Sequence, residues 1–234
     1  MSLLLDSLQS AVLLLFSMDP ELLNIVGVSL KVSGTSTLIA SMAGIPCGFI
    51  IAHSGFYGKR LVLTCLNTLL AMPTVVIGLL VYAFISRRAL FGELGLLYTQ
   101  KAMVIGQVIL IMPLVTSLTI AAISRIDDRY RKTALTLGAT PLQMALVIVH
   151  EARYGIGAAV IAAFGRVIAE VGISMMLGGN AKGFTRTMTT AMALEYDKGE
   201  FVLAVALGLT LMTIAFGVNM LFHFFQGKTG IDAL

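Results

Sequence analysis

Five apolar runs, at about 24–52, 61–85, 101–123, 154–178 and 200–225, dominate this chain of 234 residues. Each is long enough to cross the hydrocarbon core of a bilayer, which takes about 20 predominantly apolar residues in a helix. The composition agrees: 58% of residues are hydrophobic, only 12% are charged, and the mean hydropathy is +0.95. The expected fold is therefore all-α and integral to the membrane, with about five transmembrane helices. No Ser/Pro-rich or charged linker, internal repeat or low-complexity tract divides the chain, so 1–234 reads as a single transmembrane domain with its helical bundle over 24–225. The net charge of +4 is small and spread among loops, which argues against nucleic acid as a partner. Cys47 and Cys65 form no metal-ligand pattern and read as small packing residues.

The run from Leu3 to Phe16 is too short for an ordinary span. It places Asp6, Gln9 and Ser10 on one helical face, opposite Leu4, Leu8, Ala11 and Leu15. Residues 1–19 are accordingly expected to hold an interfacial helix, with a short tilted span as the alternative. It is not a cleavable signal by pattern, because no Lys or Arg precedes Lys31. Lys59, Arg60, Arg125, Arg129, Arg131, Lys132, Arg153 and Lys228 fall on one side of the bundle, against Arg87, Arg88, Lys101, Lys182, Arg186 and Lys198 on the other. The bias predicts an external N-terminus and a cytoplasmic C-terminus. Loop 124–153 is then cytoplasmic, and loop 179–199 is external.

The cytoplasmic loop has the signature of a folded helical pair. Gly138 can adopt the left-handed conformation that closes a helix. Thr140, Pro141 and Gln143 supply an N-cap, a proline at the first helical position and a capping-box partner. Ordering such a pair costs on the order of 1 to 2 kcal/mol per residue in backbone entropy. Leu135, Leu137, Leu142, Met144 and Leu146 are too apolar for a solvated connector, so a cytoplasmic partner is expected.

In these residues the chain resembles the permeases of ABC importers. KTALTLGA is similar to their EAA loop, the coupling segment that docks on the ATP-hydrolysing subunit. The family pattern is E-A-A, three residues, G, nine residues, then I-x-L-P. Lys132, Thr133 and Ala134 stand at the first triplet, Gly138 at the glycine and Ile148 at the isoleucine. Lys132 replaces the acidic residue, and His150-Glu151 replaces Leu-Pro. DPELLNIVGVSLKVSGTSTLIA, AMPTVVIGLLVY, FGRVIAEVG and GGNAKGFTRTMTTAMALEYDKGEF follow in the order seen in permeases for tetrahedral oxyanions. The last two look most like the tungstate branch, with molybdate or sulfate as alternatives. The resemblance implies a type I ABC importer permease fold, a homodimer with the pore at its interface, two copies of an ATP-binding ABC subunit and an extracytoplasmic substrate-binding protein. It implies a docking segment made by Lys132, Thr133, Ala134, Leu137, Gly138, Ala139, Thr140 and Pro141. It also places the outer loop, with Gly179, Asn180, Thr185 and Arg186, at the external mouth facing the binding protein, although Gly-Gly-Asn is also an ordinary turn.

The residues contain no ATP site of their own. Gly227-Lys228-Thr229 ends like a phosphate-binding loop, but Phe222 stands where its first glycine is required. His150-Glu151 lacks the second histidine of a zinc site at Tyr154, and no G-x-S-x-G elbow occurs. No catalytic group, metal or cofactor is therefore expected, and membrane lipid is the remaining partner. A secondary carrier would need an internal repeat and midplane carboxylates, for which Glu170 is the only candidate. A passive scaffold or assembly subunit is the other alternative.

The fourth span carries the most informative charges. Ala158, Ala162, Gly165, Ala169 and Gly172 form a seam of small residues that predicts a buried helix-packing face. Arg166 and Glu170, at i and i+4 beside the seam, can pair. Arg166 lies roughly 18 Å into the span at the rise of a helix, where an exposed arginine costs about 2.5 to 3.5 kcal/mol. The pair is either a structural lock or a support of the translocation gate. Lys31 either snorkels to the headgroups or guides the anion. Pro46, Pro73 and Pro113 are expected to kink their spans, and Gly44 with Gly48 to allow close helix approach.

Overall fold

A computed structural model describes residues 19–226. The expected interfacial helix at Leu3–Phe16 and the tail from Gly227 lie outside the described residues. All regular structure among the described residues is helical. In chain order the helices are α1 (Pro20–His53), α2 (Lys59–Leu70), α3 (Thr74–Ile85), α4 (Gln100–Ser124), α5 (Asp128–Thr136), α6 (Pro141–Glu151), α7 (Arg153–Ile168), α8 (Gly172–Gly178), α9 (Met188–Lys198) and α10 (Phe201–Gln226), with one 3₁₀ turn at Gly92–Leu94.

α1 begins where Asp19 accepts the Glu21 N–H at 2.9 Å and Pro20 takes the first turn. Its hydroxyls bond back to carbonyls four residues earlier, Ser29 to Ile25, Ser36 to Val32 and Thr37 to Ser33, so polar side chains ride in an apolar helix without exposing a donor. α1 packs most extensively along α4. Here the expected close approach is observed: a Cβ at Gly44 would lie 3.0 Å from Val115 Cγ1, and one at Gly48 would lie 2.7 Å from Thr119 Cβ. Ala40, Ile111, Val115, Ala163, Val167 and Ile173 join α1, α4, α7 and α8 in the main core, which α3 completes with Ile77 and Val81. A second core gathers Leu22, Ile25, Ile168, Met188, Ala206 and Leu207 under α9 and α10.

Three helices, α1, α4 and α10, are each long and apolar enough to cross a bilayer, and there are up to five spans if α2 with α3, bent by 98°, and α6 with α7, bent by 67°, each count as one. Two of the five expected spans are not continuous. The run 61–85 is divided into α2 and α3, bent by 98°. Pro73 causes the break, since it lacks an N–H and disfavours helix at the preceding residue. It stands as the N-cap of α3, not inside a kinked helix, whereas Pro46 and Pro113 lie inside the continuous α1 and α4. The run 154–178 is also interrupted: α7 stops at Ile168, and a seven-residue α8 starts at Gly172.

The small-residue seam is a further correction. Ala158, Ala162 and Ala169 are exposed on the single chain, and Gly165 and Gly172 are half-buried. The face of α7 that packs inward is the adjacent stripe, Ile156, Ala159, Ala163 and Val167. The branched residues of that stripe fill the space against α4, and the seam is left on the outside of this chain.

Gly48→Leu is expected to destabilise the fold by about 1 to 3 kcal/mol through overpacking against Thr119. Gly34→Ala, where no atom lies within 4 Å of the added carbon, should hold or slightly raise stability. Thermal midpoints of the two variants in detergent check this, and equal midpoints would refute the tight α1–α4 contact.

Candidate functional site

The expected helical pair is present at the end of the bundle where α1 and α4 finish. Asp127 caps α5 by accepting the Arg129 N–H at 2.9 Å. Gly138 turns the chain with φ +79°, and the Ala139 N–H closes α5 on the Ala134 carbonyl at 3.0 Å. Thr140 and Gln143 form the capping box in both directions, and Pro141 starts α6. Every one of these features is local, and the residues alone foretold the turn at Gly138 and the start at Thr140, Pro141 and Gln143.

The pair has two unlike faces. Ala134, Met144 and Ile148 are buried against Ile123, Ala152 and Ile156 and fix the pair to the bundle. Lys132, Thr133, Leu137, Gly138, Thr140 and Pro141 are exposed, and Ala139 is half-buried. Ala134 thus anchors the loop and does not face outward. Leu135, Leu137, Leu142 and Leu146 are 48%, 81%, 72% and 62% exposed. Beside them lies a concavity of about 540 Å³ lined by Tyr130, Thr133, Leu137 and Val147. Four leucines presented together on a rigid pair form a surface that gains by being covered.

The second constellation is at the break between α7 and α8. Arg166 Nη1 lies 3.6 Å from Glu170 Oε2, so the expected ion pair is formed. Its members are unequally placed: the Glu170 side chain is 3% exposed and that of Arg166 is 48% exposed. Glu170 Oε1 accepts the Ile173 N–H at 3.2 Å, which satisfies one of the donors that α8 would otherwise leave free. The Glu170 carbonyl accepts Thr189 Oγ1 at 2.9 Å and ties α9 to the same point. Thr74, at the start of α3, lies close to Gly172, so both broken spans begin their second halves side by side.

Beside this node runs a buried polar chain that residue reading missed. Ser36 Oγ, its one hydrogen shared between the Val32 carbonyl and Gln107 Oε1, lies 2.9 Å from the latter, and Gln107 Nε2 donates to Ser174 Oγ at 3.3 Å, linking α1, α4 and α8. A lone glutamine amide in an apolar span was the available signal, because such a group must find partners across helices. Among the described residues, no three His, Cys, Asp or Glu side chains gather as a metal-binding group.

The outer loop is built differently from its composition. Gly179 and Asn180 turn with φ +69° and +50°. Asn180 Nδ2 donates to the Thr190 carbonyl at 3.3 Å. Thr185 is fully buried, donating to the Gly178 carbonyl at 2.6 Å and accepting the Ala181 N–H at 2.9 Å. Thr187 and Thr190 form a capping box at the start of α9. These hydroxyls hold the loop together. Arg186 and Lys182 both meet Glu21 at the start of α1, at 3.6 and 2.8 Å. What the loop turns outward is Gly179 and the stretch 181–184.

Known proteins share both this sequence and this architecture. The Tungstate uptake system permease protein TupB of Peptoclostridium acidaminophilum is 38% identical over 221 residues, covering 94% of this chain and 97% of that permease. The TupB protein of Campylobacter jejuni is 38% identical over 218 residues, covering 93% of this chain and 91% of its own. A crystal structure of a bacterial ABC transporter involved in the import of the acidic polysaccharide alginate matches with a TM-score of 0.75 at 17% identity, over 94% of this chain and 83% of the other. Residues 44–229 match the family described as "Binding-protein-dependent transport system inner membrane component". With helices able to cross a bilayer, a packed helical pair at one end and a match over most of its length, the chain belongs to that family of inner membrane permease components.

Proposed function

We propose that this chain is the membrane subunit of an ATP-driven importer for a tetrahedral oxyanion, tungstate. The observation that carries the reading is the rigid α5–α6 pair, anchored by Ala134, Met144 and Ile148 while Leu135, Leu137, Leu142 and Leu146 stay uncovered. An ATP-hydrolysing subunit is the partner, because an energy source on a separate protein requires a stiff element to receive its motion. Lys132, Thr133, Leu137, Gly138, Ala139, Thr140 and Pro141 make the docking surface, and Ala134 supports it from beneath. Tungstate is supported by the two TupB relatives, each 38% identical over more than nine-tenths of this chain. The working unit has two copies of this chain, two ATPase subunits and an extracytoplasmic binding protein that meets the outer loop around Gly179, Asn180 and Arg186. The basic residues of loop 124–153 set α5 and α6 on the cytoplasmic side, with the N-terminus outside and the C-terminus inside.

Arg166 supports the gate. A half-exposed guanidinium beside the uncovered seam of Ala158, Ala162 and Ala169 would cost about 2.5 to 3.5 kcal/mol if it faced lipid. A second copy of the chain covers that face, and the positive charge then offsets the desolvation of a passing anion. Glu170 holds Arg166 and the start of α8 together, so the pair is both a structural tie and part of the gate.

Three measurements follow in order. Leu137→Asp, at an 81% exposed position, should leave the thermal midpoint unchanged and abolish co-purification of the ATPase subunit. Undiminished ATPase recovery would remove the docking assignment. Arg166→Gln, in a fully assembled complex, should lower ATP-dependent tungstate uptake by roughly 10- to 100-fold, the equivalent of a charged hydrogen bond. Normal uptake would reduce the pair to a structural lock. In proteoliposomes with the native binding protein, tungstate should outcompete molybdate and sulfate. A reversed order would reassign the cargo within the same family.

A further inference from the structure

A groove of about 650 Å³ runs between α1 and α4 at the end where α4 begins. Its walls are mostly hydrocarbon, from Val32, Ile39, Leu96, Val104 and Ile105, and the hydroxyls of Thr35 and Thr99 on its lining donate to the carbonyls of Lys31 and Leu96. Leu94 of the 3₁₀ turn and Phe184 of the outer loop roof it, and Gln100 donates through Nε2 to the Phe184 carbonyl. Lys31 and Lys101 stand on its lining, both exposed. Neither makes an ion pair among the described residues, in contrast to Lys182, Arg186 and Lys198, each of which has a carboxylate partner. Lys101 is the second residue of α4, a helix long and apolar enough to cross a bilayer, and Lys31 lines the same groove.

We propose that this groove binds an anionic phospholipid, with the phosphate between Lys31 and Lys101 and one acyl chain descending along Val32, Ile39, Val104 and Ile105. Charge and polarity select the occupant. Two unpaired ammonium groups call for an anion at headgroup level, where long lysine stems extend their charge to the interface. The walls below them call for hydrocarbon. A free oxyanion fits poorly, because it would exchange its hydration for walls that offer few donors. A neutral lipid would fill the walls and leave both charges without a partner. The volume lies within the roughly 300 to 1,000 Å³ of formed ligand pockets. Through the bond from Gln100 to the Phe184 carbonyl, the bound lipid would brace the outer loop against α4.

The test uses the full chain in nanodiscs of phosphatidylcholine containing phosphatidylglycerol, with lipids retained after detergent release counted by native mass spectrometry. Phosphatidylglycerol should be retained over phosphatidylcholine. Lys31→Gln and Lys101→Gln should each lower that retention about fivefold, and the double variant about 30-fold. Ile105→Trp, which keeps both lysines and fills the acyl path, should lower it as well. Equal retention of the two lipids, or full retention in the single lysine variants, overturns the proposal. Full retention in Ile105→Trp reduces it to surface charge and also overturns it. Displacement by tungstate would make the site one for a free anion. A rise in retention on deleting residues 1–18 would assign the groove to that segment.

Discussion

A helix interrupted inside hydrocarbon leaves backbone donors and acceptors that no water can reach, and much of this architecture follows from meeting that demand twice. Pro73 divides one span and the segment Ala169–Val171 divides another. The second halves, α3 and α8, start beside one another, so one neighbourhood serves both interruptions. Glu170 is the hinge of that neighbourhood: one carboxylate oxygen satisfies the Ile173 N–H, the other meets Arg166, and its carbonyl receives Thr189. The chain from Ser36 through Gln107 to Ser174 then fixes α8 to the two long helices. Buried polar networks of this kind favour one packing among many that apolar surfaces alone would allow.

What could be read from the residues divides along physical lines. The α5–α6 pair was legible because its determinants are local: a left-handed glycine at Gly138 and a reciprocal bond between Thr140 and Gln143 operate within six residues. The approximate position of the apolar segments was legible for a similar reason, since hydropathy sums over a window. That same averaging hid the breaks. A window of apolar residues has equal hydropathy whether it runs straight or turns by 98°, and Pro73 alone does not say whether it kinks a helix or ends it. The outer loop shows a limit of composition. Thr185, Thr187, Thr189 and Thr190 supply hydroxyls, but composition does not give their direction, and the fold turns them inward to hold Gly178, Ala181 and Glu170.

The small-residue seam on α7 shows a subtler limit. Its periodicity is genuine and marks a face that another helix can approach, yet no element among the described residues covers it. Ala159, Ala163 and Val167, one step round, meet α4 and α1 instead. A residue pattern records that a face is to be covered and does not record by whom. The exposed side of Arg166 lies next to that seam, so an uncovered charge and a close-packing surface stand on the same face of α7.

The unequal burial of Arg166 and Glu170 determines what each can do. Glu170 is enclosed and has three ties, so removing it frees a buried N–H and strands a guanidinium, losses of the order of 1 to 3 kcal/mol or more. Arg166 has one contact to its partner and about half its side chain uncovered. It is the member that can lean away from the pair without unfolding the hinge. Movement of that guanidinium stays local, because α8 remains held through Ile173 and the Gln107 chain. A tie of this form leaves one charge free to move while the structure around it keeps its shape.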